Sequence, residues 1–193
     1  MLFRSWHETS INCSTNYTVD KHEFTTPFQV NYFRTLHVHL IFARAAAKEG
    51  WNVTAPLAEG EPKTTDAITN FERLHSLSVN ICADCTVLET QHFDVVVDAL
   101  YGTGFHGALR PSGLAACGLM NRLHKSGAFV LAVDLPSGIN TDTGEVAEGA
   151  AHADLTVTFD SYKPLHVAES SAPLCGKIVC SDIGIRDEWH PEF

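Results

Sequence analysis

Two aspartates in this sequence follow apolar runs, and each one comes directly before a loop. Asp98 ends FDVVVD ahead of a glycine-rich stretch, and Asp134 ends AFVLAVD ahead of LPSG. Continuous apolar runs of this length are typical of interior parallel strands, and ligands of doubly wound sheets bind beyond the carboxyl ends of such strands. If the two strands are neighbours, both carboxylates should face one crevice. A partly desolvated aspartate in that position is suited to general acid–base catalysis.

The glycines of GTGFHG, residues 102–107, have the G-x-G-x-x-G spacing of a dinucleotide-binding turn. That fingerprint requires a helix that opens inside the motif. Here Pro111 favours an extended Arg110, so we expect the helix to begin after the glycines, near Ser112 as a cap. The stretch is therefore predicted to be a flexible wall over which a ligand lies, with a plain turn as the alternative.

The loop after Asp134 is unusually polar for its length. Pro136 makes the exit from the strand rigid, Gly138 permits a backbone conformation closed to other residues, and NTDT follows at 140–143. Oxygen ligands at this density suit a hard monovalent or divalent cation, although a solvated turn would look similar.

Composition restricts the class of partner. The 193 residues, 45% of them hydrophobic, are enough for one domain with a real core, and no apolar run is long enough to span a membrane. A net charge of −10 disfavours nucleic acid and anionic membranes as partners but leaves phosphorylated small molecules open. The six cysteines include one lone CxxC and predict reduced thiols. We expect the cytoplasm as the compartment, with the mitochondrion as the alternative.

The order of patterns along the chain predicts the fold class. From about Leu40, helical patterns alternate with short strand patterns, which indicates right-handed βαβ units and an α/β fold with an open sheet covered on both faces. Residues 1–39 contain no glycine and follow neither period clearly. At their end, FQVNYFRTLHVHL could be helical or strand-like. His37 and His39 alternate as on one face of a strand and could contact an anion, but two core or surface histidines are the favoured alternative.

Several motifs occur together and in order: DVVVDALYGTGFHGALRP, AVDLPSGINTDTGEV, ADLTVTF, KP and GKIVCSDIGI. From about Leu40 to Ile185 the chain resembles the YjeF N-terminal family, the NAD(P)H-hydrate epimerases. The resemblance implies a Rossmann-like three-layer αβα sandwich around a mostly parallel sheet, and commonly a homodimer. It also implies interconversion of the R and S epimers of hydrated NADH and NADPH, with a bound potassium ion. We divide the chain into an atypical segment, residues 1–39, and an epimerase-like domain, residues 40–193.

The resemblance also assigns site residues. Asp98 and Ser137 match the family's potassium positions, and Asp134 matches a substrate-binding acid, for which we predict the catalytic role. Lys163 matches a frequently basic position near the crevice, and its alternative is a surface lysine beside a turn-forming proline. The substrate-contacting loop corresponds to Gly102, Thr103, Gly104, Phe105, His106, Gly107 and Ala108.

The sequence departs from the family pattern ahead of Leu40. Family members carry an Asn-, Gly- and Asp-rich phosphate loop there, whereas this chain has NYFRTLHVH and no glycine before Gly50. Without glycine the backbone cannot form a close anion-binding nest. The chain either lacks a working phosphate site or has a replaced N-terminus.

Two rival functions follow from these features. The same domain occurs as a non-catalytic dimerisation module in messenger-RNA decapping scaffolds, but the retained DLPSG, a polar cation pocket, favours an enzyme. An NAD-dependent dehydrogenase would need an acid about 20 residues after its glycines, and Asp134 lies too far along. Some epimerase domains are fused to a dehydratase domain; because the sequence stops at Phe193, we expect that activity to be absent from it.

Overall fold

The computed structural model describes residues 29–34, 38–83 and 85–185. The strands are β1 (Gln29–Arg34), β2 (Asn52–Pro56), β3 (Val79–Cys82), β4 (Val95–Ala99), β5 (Phe129–Val133), β6 (Leu155–Phe159) and β7 (Lys177–Ser181). The α-helices are α1 (Val38–Lys48), α2 (Thr65–Leu74) and α3 (Pro111–Lys125). Short 3-10 turns cover Cys85–Leu88, Pro164–His166 and Ala172–Leu174.

The seven strands form one sheet in the order β3-β2-β1-β4-β5-β6-β7, and every pair in it is parallel. Neighbouring residues of β4 face opposite layers: Val96 packs in a core with Cys117 and Met120 of α3, whereas Val97 packs in a core that contains Ala43 of α1 and Leu74 of α2. Because α3 covers one face and α1 and α2 cover the other, the predicted three-layer Rossmann-like α/β fold is confirmed.

The interior strand β1 lies in the segment that showed no clear period. It pairs with β2 on one side and β4 on the other, so the sheet extends ahead of residue 40. Polar residues interrupt this strand's apolar pattern, which explains why the periodicity failed to reveal it. The sequence leaves helix and strand both open for FQVNYFRTLHVHL, and both occur: Gln29–Arg34 is strand β1, whereas His39 lies in α1 and not on a strand face. His37 lies outside the described residues. The boundary between residues 39 and 40 stays a prediction.

Helix α3 begins after the glycines, as predicted, but its N-cap lies two residues before the expected cap. Pro111 occupies the first helical position and Arg110 is the N-cap, with no side-chain capping hydrogen bond. Proline suits that position because its φ is already helical and no N–H partner is needed there. The prediction that Ser112 caps the helix is therefore wrong. Its hydroxyl instead donates to Glu59 Oε1 at 2.7 Å.

Helix α2 has the side-chain cap that its sequence predicts, because Thr64 Oγ1 accepts a hydrogen bond from Ala67 N at 3.4 Å. We expect Thr64→Ala to lower the free energy of unfolding by about 1 kcal/mol, since it removes an N-cap. Urea denaturation would measure this. The control is Thr69→Ala on the same helix. Because alanine is the better helix former, the free energy of unfolding of this variant should be unchanged or slightly higher. Equal losses in both variants would contradict the capping role.

Within the described residues, no helix is both long enough and apolar enough to cross a bilayer. The described cysteines are free thiols at positions 82, 85, 117, 175 and 180.

Candidate active site

The candidate site lies where β4 and β5 end. The two strands are parallel neighbours, with Asp98 opposite Ala132 in the register, so Asp98 and Asp134 stand at adjacent strand ends as the sequence predicted. A cleft of about 620 Å³ opens beside them. Asp134 lines this cleft, whereas Asp98 does not line it and is fully buried. The two carboxylates therefore have different environments, and the expectation that both would face one crevice is wrong for Asp98.

Asp98 is tied to Ser137 by two short hydrogen bonds. Ser137 N donates to Asp98 Oδ2 at 2.7 Å, and Ser137 Oγ donates to Asp98 Oδ1 at 2.6 Å. The same serine oxygen accepts from Tyr101 N at 2.9 Å, and Leu100 N donates to Asp98 Oδ1 at 3.2 Å. This network joins the end of β4 to the loop after β5. Burial raises the pKa of Asp98, and the hydrogen bonds from Ser137 and Leu100 oppose that shift.

The Asp98–Ser137 pair supplies the kind of ligand that a potassium ion prefers. Both residues are fully buried, and both present oxygen atoms. No basic side chain pairs with the Asp98 carboxylate in the part of the chain that the structure describes. A buried carboxylate without a cationic partner is costly, and hard oxygen ligands suit hard cations. These two residues could therefore supply oxygen ligands to a monovalent cation, and both Asp98 oxygens are at present hydrogen-bonded within the protein.

The backbone after Ser137 has little freedom to change. Gly138 has a φ of +96°, and a Cβ atom there would lie 2.9 Å from the Cα of Ala150. Only glycine meets both the conformational and the steric requirement. The DLPSG motif thus closes the loop tightly over the buried pair.

The glycine loop, defined as Gly102–Ala108, forms one wall of the cleft. Six of its seven residues line the cavity, and Gly107, with a φ of +74°, does not. Tyr101, next to the loop, lies with its ring centroid 5.3 Å from that of Phe105. This pair gives the wall an aromatic surface on which a flat ring could pack.

Asn140 ties the glycine loop to the loop after β5. Its Oδ1 accepts from the backbone N–H groups of Asp142 at 2.9 Å and Thr143 at 3.1 Å, so Nδ2 is the atom that faces His106 Nδ1 at 3.0 Å. An amide nitrogen only donates, so Nδ1 of His106 accepts and the neutral ring carries its proton on Nε2. Thr141 Oγ1 adds a weaker tie to the loop, donating to the carbonyl oxygen of residue 103 at 3.4 Å.

We expect His106→Phe to loosen the glycine loop, because the ring nitrogen that accepts from Asn140 is lost. One hydrogen bond contributes about 0.5–1.5 kcal/mol, so amide hydrogen exchange at residues 102–108 should be faster by roughly 2- to 10-fold. Mass spectrometry of deuterium uptake would measure it. His92→Phe is the matched control, since that side chain is 72% exposed and lies outside the loop. Unchanged uptake in the loop would contradict this tie.

The Asp134 carboxylate is held on one side and free on the other. Its Oδ1 accepts from Lys163 Nζ at 2.6 Å, from Thr158 Oγ1 at 2.9 Å and from Phe159 N at 3.2 Å. Oδ2 has no hydrogen-bond partner among the described residues. Asp134 also has a φ of +70°, a left-handed conformation that is rare outside glycine and that recurs at functional sites. Such a carboxylate can exchange a proton with a ligand in the cleft.

Lys163 is an internal partner of Asp134 and is only 18% exposed, so it is no ordinary surface lysine. Its Nζ also donates to Thr158 Oγ1 at 2.8 Å and to the Phe159 carbonyl oxygen at 2.9 Å. Sequence reasoning missed Thr158. The rule that polar residues at strand ends face the ligand crevice applies equally to this threonine near the end of β6.

Glu59, a second residue that the sequence analysis missed, supports the opposite side of the cleft. Its Oε1 accepts from Tyr101 Oη at 2.8 Å and from the Ser112 hydroxyl, and its Oε2 lies 3.9 Å from Arg110 Nη1. Burial and this carboxylate both raise the pKa of Tyr101. Arg110 lines the cleft with its side chain 77% exposed, so a basic group is available to an anionic ligand there.

Comparison with known proteins decides the family. The sequence profile of the family described as "YjeF-related protein N-terminus" matches residues 40–165, which include the glycine loop, both aspartates and Lys163. The chain belongs to this family. The matched range begins inside α1 and leaves out β1.

Named relatives of this YjeF N-terminal chain are considerably longer proteins. The "Bifunctional NAD(P)H-hydrate repair enzyme Nnr" of Methanothermobacter thermautotrophicus is 43% identical over 156 residues, covering 75% of this chain and 29% of that protein. The protein of the same name from Archaeoglobus fulgidus is 35% identical over 148 residues, covering 77% and 30%. The chain thus spans less than a third of the length of these relatives.

A solved structure supports the fold of this YjeF N-terminal chain. The crystal structure of yeast ynu0 (YNL200c) superposes with a TM-score of 0.61 over 75% of this chain and 63% of that chain, at 18% sequence identity. At that identity the likeness shows the shared fold alone.

Proposed function

We propose that the chain is an NAD(P)H-hydrate epimerase that interconverts the R and S epimers of hydrated NADH and NADPH. The observation that carries the proposal is the asymmetric Asp134 carboxylate, with Oδ1 held by Lys163 and Oδ2 without a partner in the described residues. The aromatic and glycine-lined cleft beside it is large enough for a nicotinamide ring with its ribose. Family membership and the names of the relatives support this reaction class.

The reaction that we infer needs only acid–base chemistry. Hydrated NADH carries a hydroxyl at C6 of the nicotinamide ring, next to the ring nitrogen. Asp134, in its protonated form, gives a proton to that hydroxyl, the C6–O bond breaks and water leaves. The nitrogen lone pair forms a C=N bond, which gives a cationic imine. A water molecule then adds to the opposite face of C6 and returns a proton to Asp134. Nothing is oxidised or reduced.

Lys163 holds the carboxylate that carries this proton cycle. The reactive carboxylate must take up a proton and give it away in the same turnover, and Lys163 Nζ donates to it at 2.6 Å. This contact occupies Oδ1 and leaves Oδ2 as the oxygen that would exchange the proton with the substrate. Thr158, which contacts both partners, fixes their relative position.

The remaining groups would bind the charged parts of the substrate. We assign Asp98 and Ser137 as ligands of a potassium ion, whose positive charge would help to offset the substrate diphosphate. Arg110 lines the cleft and can contact a phosphate directly. The aromatic pair Tyr101 and Phe105 can pack against the nicotinamide or the ribose. We also propose a homodimer in the cytoplasm or mitochondrion, with neither nucleic acid nor membrane as a partner.

Oxygen exchange tests this chemistry directly. If C6 loses its hydroxyl and takes up water, the enzyme should incorporate ¹⁸O from labelled water at C6 at the rate at which the epimers interconvert. Mass spectrometry of hydrated NADH would measure it against an enzyme-free sample. Interconversion without label uptake would contradict water loss and return, and it would point to an internal route.

A non-catalytic binding module is the second candidate, and one observation favours it. The connection between β1 and α1, residues 35–37, is TLH and contains no glycine, unlike the phosphate loop expected there. A thermal-shift titration with NADH and potassium, run beside the turnover assay, separates the two functions. An epimerase should show both ligand stabilisation and turnover, whereas a binding module should show stabilisation alone.

A further inference from the structure

His166 lies behind the reactive pair rather than in the cleft. It ends the 3-10 turn Pro164–His166, is only 3% exposed, and does not line the cavity. Its ring nevertheless contacts both residues of the proposed acid–base pair through their backbones. Lys163 N donates to His166 Nδ1 at 3.0 Å, and His166 Nε2 lies 3.0 Å from the Asp134 carbonyl oxygen.

These two contacts define the protonation state of the ring. A backbone N–H only donates, so Nδ1 must accept; a carbonyl oxygen only accepts, so Nε2 must donate. The neutral ring with its proton on Nε2 satisfies both bonds at once. A charged ring would point an N–H from Nδ1 at the backbone N–H of Lys163.

The bond to Asp134 acts at a strained point of the backbone. Asp134 has a φ of +70°, and a residue in that region stays there only where its surroundings hold it. The His166 ring fixes the carbonyl group of Asp134, while the other bond fixes the backbone of Lys163. The side chains of these two residues meet at 2.6 Å, and of the two Asp134 lines the cleft.

We infer that His166 is a positioning residue, whose neutral ring holds the backbones of Asp134 and Lys163 so that the Asp134 carboxylate stays aligned on the cleft. The inference rests on the proposed function for its catalytic consequence, and its geometric part stands independently. Nothing in the family resemblance assigned a role to this histidine.

The arrangement implies a pH dependence. Burial lowers the pKa of His166 below its usual 6.5, and the nearby Lys163 ammonium lowers it too, whereas the Asp134 carbonyl and carboxylate oppose the shift. The ring of Tyr162 packs edge-on at 6.1 Å. Because the folded protein binds this proton less tightly than the unfolded chain, His166 favours folding fully above about pH 6.5. That contribution is lost as the pH falls below 6.5 and through the lowered pKa.

Two variants separate the two bonds of the ring. His166→Asn keeps an acceptor near Nδ1 but loses the donor to Asp134, and His166→Gln keeps a donor near Nε2 but loses the acceptor. We expect each to lower kcat by at least 10-fold with KM changed less than 3-fold, because the ring does not line the cleft. In the wild type, activity should fall at low pH as His166 is protonated. This loss at low pH should be absent from both variants. His152→Asn, an exposed histidine outside the site, is the control and should behave as wild type.

A purely structural role would give a different result. If both variants lower the melting temperature but keep kcat per folded molecule and the acidic limb of the pH profile, the positioning role is overturned.

If the wild type itself shows no turnover, the proposed function fails, and nuclear magnetic resonance then decides whether His166 is a positioning residue. The ¹⁵N shifts of His166 should show the Nε2–H form at pH 7. The Phe159 amide, which donates to Asp134 Oδ1, should shift in both variants and not in His152→Asn. The inference would be overturned if His166 were charged or carried its proton on Nδ1, or if the amide resonance of Phe159 were the same in the variants as in the wild type.

Discussion

Replacing Asp134 with asparagine should lower the rate of epimer interconversion by roughly 100- to 10,000-fold, the usual contribution of a general acid–base group. Asparagine keeps an oxygen for the bonds from Thr158 and Phe159, but its amide cannot take up and release the reacting proton. It also tolerates the φ of +70° better than alanine would. The change should therefore remove the chemistry and leave the fold intact, which circular dichroism would check beside the kinetic assay.

The chain offers a closely matched control for this variant. Asp160 follows β6 as Asp134 follows β5, and it has a similar left-handed φ of +65°. Asp160→Asn should keep wild-type turnover, since Asp160 does not line the cleft. If both variants lose activity to the same degree, the loss comes from the strained backbone at strand ends and not from the Asp134 carboxylate.

Replacing Ser137 with alanine should have the largest effect on stability. The change removes the hydroxyl that donates to the buried Asp98 carboxylate and accepts from Tyr101 N. Each buried polar group left without a partner costs about 1–3 kcal/mol, so we expect the free energy of unfolding to fall by about 3 kcal/mol. Urea denaturation with potassium or with sodium as the salt would measure it, and the difference between the two salts should shrink in the variant if Ser137 is a potassium ligand.

Ser126→Ala is the control for the stability measurement. Its hydroxyl donates to the Arg122 carbonyl oxygen on the surface of α3, and surface substitutions of this kind change stability by at most about 0.5 kcal/mol. A Ser137→Ala protein as stable as this control would show that the buried network contributes little.

The sequence predicted the strand ends well because their signal is local. An apolar run that ends at an aspartate and continues into glycine or proline needs no tertiary information to be recognised, and β4 and β5 lie side by side as expected. The same pattern could not predict that Asp98 is sealed from solvent while Asp134 lines the cleft. That difference depends on Ser137, whose hydrogen bonds to Asp98 cross 39 positions of sequence.

The errors come from residues whose surroundings dominate over local preference. β1 has polar residues in its pattern and still occupies an interior position of the sheet, because pairing with β2 and β4 fixes it there. Ser112 has the chemistry of a cap, yet Glu59 accepts its hydroxyl and Pro111 takes the first helical position. His166 gave no sequence signal because its role depends on two backbone contacts, one of them to Asp134, 32 positions away.

The most direct test of the account is re-equilibration of a single epimer. Hydrated NADH enriched in the R epimer, mixed with the purified chain and potassium, should reach the R/S equilibrium faster than in buffer alone, with the excess rate proportional to the protein concentration. Proton resonances at C6 distinguish the two epimers. A rate equal to that of the enzyme-free sample, from a folded protein that NADH stabilises against heat, would contradict catalysis and leave a binding module.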